Sequence, residues 1–312
     1  GALRGEAVTI AHGVRVEESQ RLTFAGASRT GVLAWATQHA ADVVLGVYNR
    51  AGRRTQQIDG RTPRLDQPAL SPDGRMVAFM SADKGSAAIY LRNLQTGETQ
   101  RVSTEVPFDE EPSWTPDGLS ILHVSLRPDG RALLRRSLNA LSQPVAVHFG
   151  QIWGPSYETP DGRFIITTLQ DPKTGTDVVA LPKEGPGIPL VAGPANESVI
   201  AMSTDGRWIV TTSDEGGRPS TSVVRLNTTG ATPSLGARLV VDGDRFAVGV
   251  RGDGKEIYTV TLAGLVSAVA LVPNGEAATL GASTALFQAP GAANGVTINA
   301  DGTVFVVVET PF

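Results

Sequence analysis

The 312 residues predict an all-β fold made of repeated four-stranded antiparallel units. A short turn pattern that ends in Asp-Gly recurs along the chain at a nearly constant interval. An apolar, β-branched segment of strand length follows each copy of the turn. Gly (35) and Pro (20) are abundant, and no sustained helical period interrupts the pattern. These observations favour strands joined by tight turns throughout the chain.

The interval is measured from the Gly that follows Asp. The copies "SPDG", "TPDG", "TPDG", "STDG", "RGDG" and "NADG" end at Gly74, Gly118, Gly162, Gly206, Gly254 and Gly302, in steps of 44, 44, 44, 48 and 48 residues. Another 43 residues back, Gly31 in "SRTGVLAWA" keeps the Gly and the apolar run but lacks the Asp. The period therefore predicts seven units.

Each unit contains segments that fit four strands. "EPSWT" precedes one turn, apolar runs such as "RFIITTL" follow the turns, and further strands such as "AAIYLRN" and "TQRVS" complete the units. Four antiparallel strands in 43 to 48 residues match the size of a propeller blade. The sequence predicts a seven-bladed β-propeller, with six blades as the alternative.

The C-terminal unit has only two strands, so its blade needs a partner from elsewhere to avoid open edges. The segment "EAVTIAHG" at residues 6–13 is the predicted partner, because it precedes the first unit. Residues 1–5 are expected to be disordered or a cloning remnant, and residues 6–312 a single propeller. The predicted blades are 19–58, 59–103, 104–148, 149–192, 193–241, 242–290, and 291–312 together with 6–13.

The turn residues themselves are predicted to be structural. Gly accepts positive φ and Asp can accept hydrogen bonds from nearby backbone amides, so the pair suits a tight hairpin. The residues assigned to this role are Asp73, Gly74, Asp117, Gly118, Asp161, Gly162, Asp205, Gly206, Asp253, Gly254, Asp301 and Gly302.

Composition argues against several classes of function. The net charge is −4 with no clustered Lys or Arg, which disfavours nucleic-acid binding. There is no Cys, no apolar run reaches the length of a membrane span, and the four His residues do not pair at metal-binding spacing. His123 is expected to form a hydrogen bond in the core or between blades rather than to bind a ligand. The sequence predicts no catalytic residue, no metal and no cofactor.

A binding site is predicted where each innermost strand begins, eight or nine residues before the aligned Gly. In a propeller these positions open onto the central channel, and converging polar groups with an aromatic ring are typical of a binding site. The candidate ligand-binding residues are Asp66, Asp109, Glu110, Trp153, Glu197, Arg245 and Asn294. For Asp66 and Asp109, hydrogen bonding to the backbone of a neighbouring blade is an equal alternative.

Five segments of the sequence carry a resemblance to known β-propellers. "DEEPSWTPDGLSILHVS" and "DQPALSPDGRMVAFMS" resemble the TolB-like, PD-type β-propeller repeat, whose usual form is D-x-x-P-x-W-S-P-D-G. "GVLAWATQHAADVVLGVYNRAGR", "LQDPKTGTDVVALP" and "VRGDGKEIYTV" are similar to the propeller region attached to bacterial serine/threonine protein kinases. In those proteins the propeller lies outside the membrane and the kinase in the cytoplasm.

The resemblance implies a non-catalytic sensor or interaction propeller, with a small molecule, peptide or protein bound at the channel mouth. The first expectation is the extracytoplasmic domain of a membrane-anchored kinase, whose membrane span lies in another part of the parent protein. The alternative is a periplasmic TolB-like scaffold, and a propeller lyase or hydrolase ranks last. A closed ring has no edge strand that demands a partner, so a monomer is expected.

Overall fold

A computed structural model of the chain describes residues 43–59, 64–83, 86–103, 108–139, 143–241, 245–274, 277–289 and 295–309, and four short strands before them. None of the described residues forms a helix with the length and hydropathy that a membrane crossing requires. The chain divides into two compact units, Gly1–Ala41 and Asp42–Phe312.

The first unit contains two strand pairs. The strand β1 (Val16–Glu17) pairs with β2 (Leu22–Thr23), and β3 (Ala25–Ala27) pairs with β4 (Leu33–Trp35), both antiparallel. The expectations for residues 1–5 and 6–13 lie outside the described residues.

The second unit begins with β5 (Val44–Asn49) and β6 (Arg54–Asp59). Its described strands form six groups of four, called blades 1 to 6 here. Blade 1 contains β7 (Arg64–Leu70), β8 (Met76–Asp83), β9 (Ser86–Asn93) and β10 (Thr99–Arg101). Blade 2 contains β11 (Phe108–Trp114), β12 (Ser120–Arg127), β13 (Gly130–Ser137) and β14 (Val145–Phe149).

The remaining blades follow in chain order. Blade 3 contains β15 (Tyr157–Glu158), β16 (Phe164–Asp171), β17 (Gly175–Pro182) and β18 (Ile188–Val191). Blade 4 contains β19 (Glu197–Met202), β20 (Trp208–Ser213), β21 (Ser220–Asn227) and β22 (Ser234–Val241). Blade 5 contains β23 (Arg245–Val250), β24 (Glu256–Thr261), β25 (Leu265–Asn274) and β26 (Ala277–Gln288). Blade 6 joins β27 (Val296–Ile298) and β28 (Val304–Glu309) to β5 and β6.

The two middle strands of a blade supply the core. They are rich in β-branched and aromatic residues and are buried on both faces, as the apolar runs predict. Each apolar cluster lies between two successive blades. At the interface of blades 6 and 1, for example, Leu45 and Val308 pack with Val77 and Phe79. Equivalent clusters lie at the other five interfaces, so the ring closes on itself.

Blade 6 is assembled from distant parts of the chain. The strand β28 pairs antiparallel with β27 on one side and with β5 on the other, with Val304 opposite Asn49. The Tyr48 hydroxyl donates a hydrogen bond to Glu309, and Arg54 forms an ion pair of 2.8 Å with the other oxygen of that carboxylate. Glu309 is buried, so this cluster fastens β28 to β5 and β6.

Among the described residues, the C-terminal blade is completed by residues 44–59, since β28 pairs with β27 on one edge and with β5 on the other. Within the predicted first blade, 19–58, the strand Val44–Asn49 therefore belongs to blade 6. The expected pairing of residues 6–13 into this blade falls outside the described residues. The predicted count of seven blades is not confirmed, since the described strands form six.

The Asp-Gly turns have the geometry that their residues predict. In blade 2, the Thr115 hydroxyl donates to Asp117 Oδ1 at 2.6 Å, and the backbone N–H of Leu119 donates to the same oxygen at 2.9 Å. Gly118 has φ +69, which favours glycine. The hydrogen bond from Thr115, together with that from the Leu119 amide, holds the pKa of Asp117 below its usual range. The other turn carboxylates that bond within their own turns are Asp73, Asp161, Asp205, Asp253 and Asp301.

Candidate ligand-binding channel

The innermost strands of the six blades and the residues that flank them enclose a cavity of about 340 Å³. Its lining residues come from β7, β11, β15, β19, β23 and β27 and their immediate neighbours in the chain. Since one strand of every blade contributes, the cavity lies on the axis of the ring. We call it the channel.

Apolar and small residues dominate the channel wall. Prolines within and beside the innermost strands of blades 1 to 3 contribute, and Ile200, Val248 and Val250 line the side formed by blades 4 and 5. Among the described lining residues, the ionisable side chains are Glu111, Tyr157 and Glu158. No Lys, Arg, His or Asp is among them, so the wall offers carboxyl groups without a lining cation.

Gln67 and Glu111 enter the channel through an irregularity shared by blades 1 and 2. The pairing register of β7 shifts after Asp66, and that of β11 shifts after Glu110. The next residue in each strand has positive φ, +53 at Gln67 and +56 at Glu111, which is uncommon for a residue other than Gly. Bulges of this kind redirect a side chain, and here the redirected side chains line the channel.

These two side chains bond each other reciprocally. Gln67 Nε2 donates to Glu111 Oε1 at 2.8 Å, and the backbone N–H of Glu111 donates to Gln67 Oε1 at 2.8 Å. The residues are 44 positions apart, which is one repeat. The pair therefore joins equivalent positions of blades 1 and 2 on the channel wall.

Glu111 is the most perturbed carboxyl group of the site. Burial raises its pKa to about 8, and the negative charges of Glu110 and Asp66 act in the same direction. Arg131 opposes the shift without cancelling it. At neutral pH the Glu111 carboxyl group is thus mainly protonated. Burial also raises the pKa of Tyr157, and the nearby Glu111 adds to this shift.

Beside Glu111, a second polar cluster forms around Arg131. Arg131 Nη1 donates to Glu110 Oε1 at 2.8 Å and to the carbonyl oxygen of Ile152 at 3.0 Å. Its guanidinium carbon lies 4.1 Å from the centroid of the Trp153 ring, in a cation–π contact. The structure therefore brings Glu110 and Trp153, both predicted site residues, together through Arg131. Arg131 thus balances the negative charge of Glu110. The neighbouring Glu111 instead accepts its hydrogen bond from the neutral Gln67.

Hydrogen bonds between blades position the remaining walls. Trp114 Nε1 donates to the carbonyl oxygen of Ala69 at 2.9 Å, and the Tyr157 hydroxyl donates to the carbonyl oxygen of Ile200. The Leu70 backbone N–H donates to Thr297 Oγ1 at 3.1 Å. These contacts run between blades 1 and 2, 3 and 4, and 1 and 6, so the wall is fixed by the ring itself.

Of the predicted site residues in blades 1 and 2, none is among the residues that line the channel. Asp66 Oδ1 accepts a hydrogen bond from the backbone N–H of Gln67, its own neighbour in the chain. Asp109 is buried inside blade 2, where its Oδ1 lies 4.0 Å from His123 Nε2. Burial lowers the pKa of His123, and no described residue hydrogen-bonds its Nδ1.

The candidates from later blades are spread further apart. Glu197 is buried in blade 4, where burial raises its pKa and the nearby Asp177 adds to the shift. Arg245 Nη1 donates to Ser283 Oγ on the outermost strand of blade 5, so this guanidinium is directed away from the channel. Asn294 lies outside the described residues.

Sequence reasoning missed Gln67 and Glu111 by one position. It counted back a fixed distance from the turn and took the strands as regular, whereas the bulge rotates the following residue into the channel. A usable signal was present, because both residues directly precede Pro at the repeat spacing. The residue before Pro is sterically restricted and departs easily from regular geometry. Among the described residues, no group of three or more His, Asp or Glu is arranged to hold a metal ion.

Six four-stranded blades around an axial cavity define the class of β-propellers. Within this class, residues 27–179 match the model of PD40, the TolB beta propeller domain. The match confirms the resemblance predicted from the repeat. A search of curated protein sequences gives no significant match.

Solved structures agree on the fold. A protein assigned as TolB from Agrobacterium tumefaciens aligns with a TM-score of 0.64 at 19% identity, over 87% of this chain and 99% of that one. TolB from Acinetobacter baumannii aligns with a TM-score of 0.53 at 18% identity, over 86% and 64%. Gluconolactonase XC5397 from Xanthomonas campestris aligns with a TM-score of 0.53 at 15% identity, over 87% and 92%. Since enzymes and TolB proteins share this fold, the fold alone does not assign an activity.

Proposed function

We propose that the chain is a non-catalytic interaction propeller that binds a peptide or protein partner at the axial channel. The observation that carries the proposal is the channel itself, a concave cavity walled by all six blades with a few convergent polar groups. The TolB-like repeat supports it as an analogy of family.

The absence of turnover is part of the proposal. Acid–base catalysis needs a positioned pair of groups with separated pKa values. Among the described lining residues, Glu158 is ion-paired with Arg135 at 2.5 Å, and the Tyr157 hydroxyl donates to a backbone carbonyl. This leaves Glu111 without a partner base, an arrangement better suited to binding than to hydrolysis.

For the biological setting, we propose the extracytoplasmic side of a bacterial membrane, with the propeller acting as the sensor of a serine/threonine kinase. The similarity of residues 31–53, 169–182 and 250–260 to kinase-associated propellers supports this setting. A periplasmic TolB-like scaffold is the alternative, supported by the family match. The sequence of the full gene product distinguishes them, because only the first requires a kinase domain and a membrane span.

The binding proposal is tested by filling the channel. A photo-crosslinking amino acid at Val248, on the channel wall, should trap the partner in cells, and the purified partner is then titrated against variants. Val248→Trp fills the channel and should weaken binding at least tenfold. Val240→Trp makes the same change on the exposed outer strand β22 and should leave binding unchanged. Equal affinity of both variants would exclude the channel as the binding site.

A further inference from the structure

The ionisable groups of the channel wall are unevenly balanced. Glu158 has Arg135 as its ion-pair partner, at 2.5 Å. Glu111 Oε1 accepts a hydrogen bond from Gln67, which is neutral. No described lining residue carries a positive charge. The channel therefore holds one carboxyl group whose charge, once formed, has no cation on the wall.

The groups that surround Glu111 increase this imbalance. Asp66 and Glu110 face it with negative charges, and Tyr157 faces it from blade 3 as a neutral phenol. Among the described residues, the cation that acts on Glu111 is Arg131, which is engaged by Glu110 at 2.8 Å and by the Trp153 ring. The electrostatic potential at Glu111 is thus negative, and a cation placed in the channel would be attracted to Glu111.

We propose that the channel binds its ligand through a primary ammonium group, with Glu111 as the counter-ion. The inference rests on the proposed function, because it names the ligand chemistry of the same cavity. A lysine side chain of a partner or a small alkylamine carries this group. A cavity of about 340 Å³ is at the lower end of ligand sites, which suits one such chain rather than a bulky molecule.

The apolar wall fits the rest of an alkylammonium group. A lysine side chain buries its methylene carbons against apolar surface while its charged end reaches a polar partner. Proline rings and the aliphatic side chains of Ile200 and Val248 supply that surface, and Glu111 supplies the partner. Each methylene group removed from water therefore adds to the affinity.

Binding is coupled to release of one proton. In the free protein the Glu111 carboxyl group is mainly protonated at neutral pH, because burial raises its pKa to about 8. An ammonium group beside it favours the carboxylate, so the carboxyl O–H bond breaks and the proton goes to solvent. The ligand keeps its own proton and its charge. The affinity should consequently rise with pH, by up to about tenfold per unit below pH 8.

The test is titration calorimetry with three probes of matched length: pentylamine, the peptide acetyl-Gly-Lys-Gly-amide, and 1-pentanol. Titrations at pH 6, 7 and 8, in buffers of different ionisation enthalpy, measure affinity and proton release. We expect pentylamine or the peptide to bind with release of about one proton, and 1-pentanol to bind at least tenfold more weakly. Tighter binding of the peptide identifies a protein ligand, and tighter binding of pentylamine identifies a small amine.

The matched variants are Glu111→Gln and Glu98→Gln. The first keeps the size of the side chain and an oxygen that can accept from Gln67; the second changes an exposed glutamate on a loop of blade 1. Glu111→Gln should fold, as circular dichroism would show, yet lose at least tenfold in affinity and all linked proton release. Glu98→Gln should match the unmodified protein. Equal binding by Glu111→Gln, or equal binding of 1-pentanol, overturns the inference.

Failure of this inference is distinguishable from failure of the proposed function. If Val248→Trp abolishes partner binding while neither amine binds, the channel is an interaction site but does not select an ammonium group. If an amine binds in a Glu111-dependent way while Val248→Trp binds the partner normally, the channel takes a small amine and the partner binds elsewhere.

Discussion

Glu111 and Asp117 lie six residues apart in blade 2, and the fold shifts their pKa values in opposite directions. Asp117 lies in an exposed turn, where the Thr115 hydroxyl and a backbone N–H donate to its carboxylate. Glu111 lies in the channel, where protein replaces water and its neighbours are acidic. Within six residues, blade 2 thus carries one carboxyl group that the fold keeps protonated and one that it keeps ionised.

The contrast shows how a repeat separates two roles. The turn carboxylates accept hydrogen bonds from donors within their own turns, so their charge stabilises the turn. The channel carboxyl group bonds across a blade boundary to a neutral side chain, which leaves its charge state open to an incoming ligand. A recurring Asp in this fold therefore indicates structure, and a channel-facing carboxyl group beside a bulge indicates a binding site.

The largest expected effect is a loss of stability caused by a substitution in one of the Asp-Gly turns. Gly302→Ala places a Cβ in overlap with the hydroxyl oxygen of Tyr258, at a backbone with φ +72. Tyr258 is fully buried and its hydroxyl accepts from Arg50, so it cannot move freely. The left-handed backbone costs about 1–2 kcal/mol and overpacking about 1–3 kcal/mol. We expect a loss of about 3 kcal/mol or more in urea unfolding.

Its control is Gly118→Ala in the equivalent turn of blade 2. Gly118 has φ +69, but the nearest atom to its added Cβ, Pro72 Cδ, is at an ordinary 3.8 Å. This variant should lose only the backbone cost, about 1–2 kcal/mol. Equal losses in the two variants would show that the contact with Tyr258 is absent in solution.

The second expected effect is the pH dependence of stability that Glu111 produces in the channel. An unfolded chain ionises Glu111 near its ordinary value of 4.5, whereas the folded protein keeps the proton up to about pH 8. Between these values the unfolded state binds fewer protons, so this group makes the free energy of unfolding fall as pH rises. The slope reaches at most about 1.4 kcal/mol per pH unit. Glu111→Gln should remove it, giving a variant whose stability relative to the unmodified protein increases from pH 5 to pH 8.

Urea unfolding at four pH values in that range measures the difference. Only the difference between the two proteins is interpreted, because other groups titrate in both. A constant difference across the range would mean that Glu111 is ionised in the folded protein at neutral pH.

The smallest expected effect concerns Asp117, whose lowered pKa gives a pH dependence of stability opposite to that of Glu111. The pKa of Asp117 is lowered, so its stabilising contribution is present above its unfolded value of 3.8 and is lost as pH falls through the lower, folded value. Asp117→Ala removes hydrogen bonds from an exposed turn and should cost about 1 kcal/mol at pH 7. The cost should shrink at pH 3, as thermal unfolding would show. A cost that grows toward acid would contradict the assigned charge state.

Local chemistry made much of this molecule predictable from the sequence. The Asp-Gly turns depend on residues within five positions of each other, so their pattern predicts both their geometry and the repeat. The closure was predicted in kind but not in detail, because the pairing of β5 with β28 depends on residues at opposite ends of the unit. Glu111 was missed because a bulge changes which side of a strand a residue occupies, and regular alternation does not reveal it.

Blade 6 also determines when the ring closes during folding. The Tyr48–Glu309 bond joins residues 261 positions apart, so the ring closes only after the entropy of a very long loop has been overcome. Contacts of such separation slow folding, and β28 follows every other described strand in the chain. Until it docks, β5 has no partner on that edge and the channel has no sixth wall. Ligand binding is then a property that the propeller acquires only when the ring closes, so a ligand would report on completed rings alone.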